Sequence, residues 1–302
     1  VSMHDSHIHI SMSPLKENIQ DDIREFLDAN GKKLLAQTTD MTNYQDTIDM
    51  CHSLNLKFPN TIDLALGIHP TRIEEGVSKN ELNEVDIFQY AKKQYEIFEE
   101  VFNKNIKNIS AIGECGLDYF SMNNYFDFTN EKKEQLKEAQ RLLFGKLCKL
   151  AVKHNLPMSI HARDIHGSNN CVKDTLAVIA REWKGLIKGS FHSYTGDIKM
   201  IDKILNLGMY IGFNAIITYP SGEDVRQILK AVPIERILFE TDGPFLPTQS
   251  VRKMKNALKK YGRPVLIKEI IEKACEVKNM EYNKTEEITD NNYFTLFSKE
   301  DM

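Results

Sequence analysis

Short apolar runs recur along the chain, and each is followed by a longer stretch in which apolar residues return every three or four positions. The runs fall at 5–10, 33–36, 62–67, 109–113, 158–160, 188–191, 209–213 and 237–239, and they predict eight strands. Helical spacing between them is clearest at 81–102 and 131–154 and short at 225–231. The remainder over 255–297 reads as helical and covers the outside or one end. Tyr90, Tyr95, Phe98 and Phe102 predict a core-facing helix stripe, and the charged run at 131–138 a solvated helix face. Strands alternating with helices argue for parallel βαβ units, and eight units in about 250 residues is the count of a (β/α)8 TIM barrel. The expectation is one α/β domain over 3–302, a TIM barrel with extra C-terminal helices. A doubly wound open sheet also fits the periodicity; the positions of the polar residues favour the barrel.

Those polar residues cluster where strands end. The run ends carry Asp5, His7 and His9, then His69, Glu114, Asp118 and Tyr119, then His161, Arg163 and Asp164, then His192, and finally Glu240 and Asp242. Barrel active sites occupy the C-terminal face, with catalytic residues drawn from several strand ends. Five of the nine histidines fall at these positions. His7 and His9 are two apart, so in a strand both imidazoles face the same side. With Glu114, His161, His192 and Asp242 they form a set of ligand-type groups sufficient for two divalent ions. Two ions suit in-line displacement at phosphorus. Glu114 can bridge them with its two oxygens, and Asp242 can both bind an ion and take a proton from water. Arg163, two residues past His161, offers a planar fork for phosphate oxygens, with an ion pair to Asp164 as the structural alternative. His69 donates to phosphate or binds the leaving group, or else is a structural histidine. Glu240 is a candidate to support a ligand histidine, and Asp118 and Tyr119 to line the mouth. His4, His52, His154 and His166 lack such company and read as ordinary residues.

Composition narrows the partners. The 302 residues carry a formal net charge of −4, whereas proteins that hold long duplex nucleic acid usually show a basic excess. A nucleic-acid substrate therefore implies a small footprint: an end, a short strand or one exposed phosphate. Five cysteines without a CxxC read as scattered reduced thiols of an intracellular protein. No stretch of 18 or more apolar residues predicts a membrane span, no secretory signal is visible, and no obligate protein partner is evident. A cytoplasmic location is expected, with the nucleus open.

Taken together, DSHIH at 5–9, GIHP at 67–70, AIGECGLDY at 111–119, QRLLF at 140–144, LPMSIHARD at 156–164, FHSYTGD at 191–197, FETDGPFLP at 239–247, Asn292 and Phe297 resemble the TatD-type metal-dependent deoxyribonucleases of the amidohydrolase superfamily. The motifs keep that family's order across nearly the whole chain. The resemblance implies that His7, His9 and Asp242 hold one divalent ion, that His161 and His192 hold the other, and that Glu114 bridges. It also implies a 3′–5′ exonuclease acting on DNA, with Mg2+ as activating ion, although the imidazole-rich set suits Zn2+ or Mn2+ by ligand type. A glutamate at 114, where many superfamily relatives use a modified lysine, favours this branch. Thr71 replaces a histidine frequent in the family, and Gly262-Arg263-Pro264 stands where Asn-Pro is common; both bear on substrate preference. The same centre could instead hydrolyse a carbonyl substrate such as an aminoacyl-tRNA ester.

Overall fold

In the computed structural model, eight parallel strands pair in chain order: β1 Met3–Ile8, β2 Gly31–Ala36, β3 Ile62–Leu66, β4 Ile109–Asp118, β5 Met158–Arg163, β6 Gly189–Phe191, β7 Tyr210–Phe213 and β8 Ile237–Phe239. The structure describes residues 2–38, 44–79, 86–183, 185–256 and 258–298. The sheet curls until β8 meets β1. Ile8 bridges Gly243, the Asp242 amide donates to the His7 carbonyl (2.9 Å) and the His9 amide to the Gly243 carbonyl (2.7 Å). The result is the nearly closed (β/α)8 barrel that the strand–helix alternation predicts.

Around it lie α1 Leu15–Asp28, α2 Tyr44–Lys57, α3 Arg72–Ser78, α4 Ile87–Asn105, α5 Ser121–Asn124, α6 Asn130–Lys153, α7 Asn170–Trp183, α8 Ile201–Asn206, α9 Glu223–Ala231, α10 Gln249–Lys253, α11 Ile267–Lys278 and α12 Tyr282–Phe297. Strand alternation sorts the core into two layers. Leu35, Ala65, Ala111 and Leu238 point into the barrel, while Leu34, Leu64, Leu66 and Ile112 pack outward against the helices. Tyr90, Tyr95, Phe98 and Phe102 of α4 are buried in that outer layer, as their spacing predicts. The expected start of this helix at 81 lies outside the described residues; from Asp86, whose side chain caps the Gln89 amide, the helix runs to Asn105. Thr129 caps α6 in the same way through the Lys132 amide.

The C-terminal helix closes the bottom of the barrel. Tyr293, Leu296 and Phe297 of α12 cluster with the inward-pointing Leu35, Ala65, Ala111 and Leu238. Tyr293 donates to Asp63 (2.9 Å), and the Asn292 amide group donates to the carbonyls of Ile234 and Ile237, both at 2.8 Å. Asn292 and Phe297 are thus parts of a plug. With the N-terminal end filled, the opposite end is the one open to ligands.

The expected helix over 255–297 is correct only from 267 onward. Among the described residues, 255–263 form a loop before a short 3₁₀ turn at Pro264–Leu266. Gly262 explains why. Its amide donates to the Pro244 carbonyl (2.8 Å), and a Cβ there would collide with the Phe245 carbonyl oxygen, so this segment is held against the post-β8 loop. No helix among the described residues is long and apolar enough to cross a membrane.

Candidate active site

The residues at the C-terminal strand ends converge on Glu114, a buried carboxylate near the barrel axis. Its Oε2 lies 3.4 Å from Nε2 of both His7 and His9. Its Oε1 lies 2.8 Å from His192 Nε2, 3.0 Å from His161 Nδ1 and 3.4 Å from His69 Nε2. Asp242 Oδ1 sits 3.3 Å from His9 Nε2 and 3.6 Å from His7 Nε2. One carboxylate thus faces two imidazole pairs, one with each oxygen. His7 and His9 share the side that their spacing predicts, although β1 ends one residue before His9.

Alternation in β4 and β5 builds the rest. Glu114, Gly116 and Asp118 point to one side of β4. Gly116 has a φ of 131° and lies so close to the His161 carbonyl oxygen that any side chain would clash, so only glycine lets β5 come near enough. On β5, Ser159, His161 and Arg163 likewise share a side. Ser159 Oγ is 2.9 Å from His7 Nδ1, His161 reaches the centre, and Arg163 reaches the rim.

Each inner imidazole is oriented from behind. Asp118 Oδ2 lies 2.8 Å from His161 Nε2, which places a proton there and leaves Nδ1 facing Glu114. Glu240 Oε1 is 3.5 Å from His192 Nδ1 and accepts the Ser193 amide (2.6 Å), leaving His192 Nε2 inward. His161 Nδ1 and His192 Nε2 point at each other across 3.3 Å. His69 is different: its Nδ1 accepts the Thr71 amide (3.2 Å) and lies 2.7 Å from the Thr71 hydroxyl. Its proton therefore sits on Nε2, which makes that nitrogen a donor and not a cation ligand.

The electrostatics match the geometry. Burial opposes ionisation of Glu114, but the His69, His192, His7 and His161 imidazoles gathered around it hold its carboxyl well below the usual range. Burial likewise works against Asp118, yet its bond to His161 brings it down to about 2. His161 is driven up to about 9, because its bonds to Asp118 and Glu114 outweigh burial. His7, in contrast, is pushed down by burial and by the charge of His192, whose ring stacks on it at 3.7 Å.

These features fit a divalent cation. His7 Nε2, which faces Glu114, is buried without a hydrogen-bond partner among the described residues. The ligand atoms of His7, His9 and Glu114 lie within 4.8 Å of one another, as do those of His69, Glu114 and His161. The first group is the stronger, since His69 turns a protonated nitrogen inward. Above the centre opens a cavity of about 510 Å3, lined by His9, His69, Glu114, Arg163, Asp242 and Phe245 among others.

The TatD related DNase profile matches residues 4–298. The chain belongs to this family. A Buchnera aphidicola protein described as an uncharacterized metal-dependent hydrolase, BU355, is 28% identical over 306 residues, covering 97% of this chain and 98% of its own. The crystal structure of the TatD homolog YjjV from Escherichia coli K12 superposes with a TM-score of 0.75 at 20% identity, covering 99% of this chain and 98% of that one. An uncharacterized amidohydrolase from Saccharomyces cerevisiae superposes at 0.77 with 18% identity, covering 98% and 100%. As a TatD family member the chain is a metal-dependent hydrolase.

Some expected roles change. Asp118 and Tyr119 do not line the mouth: both are buried. Asp118 stands behind His161, and Tyr119 turns into the wall, donating to Asp174 (2.6 Å) and accepting from Arg141 (3.0 Å). Arg163 makes no pair with Asp164, whose oxygens accept the Ile165 and Cys171 amides; its guanidinium stacks on the Phe120 ring at 3.8 Å. His4 is buried against Tyr293 far from the centre, and all five cysteines are free.

Sequence reading also overlooks a buried acid. Glu74 of α3 accepts from Gln140 (2.5 Å), and Gln140 in turn holds the Asp118 amide (2.9 Å) and carbonyl (3.1 Å). Burial, with the charges of Asp118 and Glu75, raises Glu74 to about 9. Because the folded value lies above the unfolded one, this group costs stability as pH climbs from about 4.5 toward 9. Glu74→Gln keeps the acceptor and removes the titration. Its Tm at pH 8 should exceed wild type by at least about 2 °C, with the gap closing near pH 4, as scanning calorimetry would show. Loss of Asp118 acts on the centre instead: Asp118→Ala should weaken Mn2+ affinity about 10–100-fold in equilibrium dialysis, since His161 loses the partner that fixes its proton.

Proposed function

We propose that the chain is a metal-dependent phosphodiesterase that trims DNA from an end, a 3′–5′ exonuclease on single strands with Mg2+ as activating ion. The observation that carries this reading is Arg163, whose guanidinium lies on the cavity rim two residues past His161 and is engaged by an aromatic face in place of a carboxylate. A cation so placed suits a substrate anion, and its fork matches two phosphate oxygens.

His7, His9 and Asp242 would hold one divalent ion and His161 and His192 a second, with Glu114, which faces both groups, shared between them. Such ions supply Lewis-acid charge, which lowers the pKa of a water and neutralises phosphate oxygens. Asp242, whose side chain is 17% exposed toward the cavity and is held ionised by His9 and its neighbours against burial, takes the proton of the attacking water. Arg163 clamps the phosphate. The Nε2–H of His69 donates to a phosphate oxygen or to the leaving oxygen. A cavity of about 510 Å3 is of small-molecule size, which favours a terminal nucleotide over a duplex, as does the net charge of −4.

Arg163→Ala tests the substrate class. The kcat/KM for single-stranded DNA should fall about 10–100-fold, the range of a lost charge-assisted pair. Unchanged activity on DNA would deny Arg163 the phosphate and take away the observation that carries this reading.

A further inference from the structure

Six of the chain's 39 lysines and arginines fall within residues 252–263, where no Asp or Glu occurs. In a chain of net charge −4 this is a concentrated basic segment, and the fold holds its end against the loop that follows β8. Gly262 docks on Pro244 and Phe245, and Phe245 lines the cavity with its ring 6.0 Å from that of His9. Two of the cations anchor the loop: Lys259 pairs with Asp22 (2.5 Å) and Arg263 with Glu25, both on α1. Lys253, Lys255 and Lys260 are exposed and have no carboxylate partner among the described residues. Arg163 lines the cavity from the end of β5, and Phe245, against which Gly262 rests, lines it from the loop after β8.

We infer that the 252–263 loop is a track for the sugar-phosphate backbone of a single strand whose end occupies the cavity. The inference rests on the proposed phosphodiesterase reading. A strand clamped by Arg163 and passing over the centre leaves beside Phe245 and meets the ammonium groups of Lys253, Lys255 and Lys260, of which Lys260 donates to the Lys255 carbonyl (3.1 Å) and none is paired with a carboxylate among the described residues; they neutralise phosphates without reading sequence. Phe245, 51% exposed, offers a ring face at the exit for a base to stack on. Charge alone would also suit an anionic lipid surface, and Met254 and Leu258 are exposed on the same loop. Continuity with the cavity favours the nucleic-acid strand.

The test is fluorescence anisotropy of a labelled, phosphorothioate-linked oligothymidine of about twelve nucleotides, with full-length wild type, Lys253→Gln/Lys255→Gln/Lys260→Gln and the triple Lys→Arg protein in Mg2+. Each Tm is compared with that of wild type to confirm folding. The Gln protein should bind about tenfold more weakly at about 50 mM salt, and its log Kd against log salt should lose about two units of slope, while the Arg protein matches wild type. Equal affinity and slope in wild type and the Gln protein would overturn the track. So would a loss confined to binding of phosphatidylserine vesicles. Wild type that binds the strand through these lysines but cleaves no DNA would refute the phosphodiesterase reading and leave the track standing.

Discussion

Glu114→Gln should all but abolish hydrolysis and strip the centre of metal. The substitution keeps shape and removes charge from the one side chain that faces both imidazole pairs, at 3.4 Å on one side and 2.8 and 3.0 Å on the other. An amide offers one oxygen and no net charge, so it satisfies at most one side of the centre. The remaining imidazoles would be left close together, with His7 and His192 stacked at 3.7 Å and nothing between them to balance a proton. The expected loss in kcat for an activated diester such as bis(p-nitrophenyl) phosphate is at least about a thousandfold, the scale seen when an essential catalytic group is removed. Bound metal, read by plasma mass spectrometry after desalting, should fall with it. Retention of wild-type metal with reduced activity would confine Glu114 to a catalytic part and deny it a holding one.

Asp242→Asn should cost about 10²–10⁴-fold in kcat, because it removes the carboxylate placed to accept the proton of the attacking water. The backbone makes this residue hard to replace by a neighbour. Asp242 has a φ of 55°, a left-handed conformation that a short polar side chain tolerates, and its amide is committed to the His7 carbonyl at 2.9 Å. The β1–β8 seam therefore aims the side chain at His7 and His9. Asn tolerates the same conformation, so the fold should survive and the effect belongs to charge. The acid limb of the rate–pH profile is the discriminating readout. Burial raises the Asp242 pKa, but His9, His7 and His192 more than offset it, so wild type should keep activity down to low pH and lose it as the carboxylate protonates. The variant's residual rate should lack that limb.

The barrel and the convergence of its strand-end side chains were legible because both depend on period. Parallel strands buried on two faces read as apolar runs, and a residue pair such as His7 and His9 declares its shared side through spacing of two. The same rule, carried two residues further along β4 and back along β5, would have found Asp118 behind His161 and Ser159 behind His7. It was missed because apolar character ends near Gly113, whereas β4 runs on through Glu114 to Asp118. A strand that turns polar as it enters a site loses the signal by which strands are recognised. Glu74 and Gln140 were beyond sequence reading for another reason: they lie 66 positions apart on different helices, and only the fold makes them neighbours. The basic residues of 252–263, interrupted so that no run of five forms, were not singled out in the sequence. Their place beside the loop after β8 depends on one backbone contact, Gly262 on Pro244, which no periodicity reveals.

The most direct test of the central claim is digestion of 3′-labelled and 5′-labelled single-stranded DNA by wild-type protein in Mg2+, Mn2+ or EDTA, beside hydrolysis of an aminoacyl-tRNA ester under the same conditions. The expected result is stepwise loss of the 3′ label with a descending ladder from the 5′ label, present with either ion and absent with EDTA. Intact DNA together with metal-dependent release of the amino acid would contradict the phosphodiesterase reading and assign the centre built on Glu114 to a carbonyl substrate.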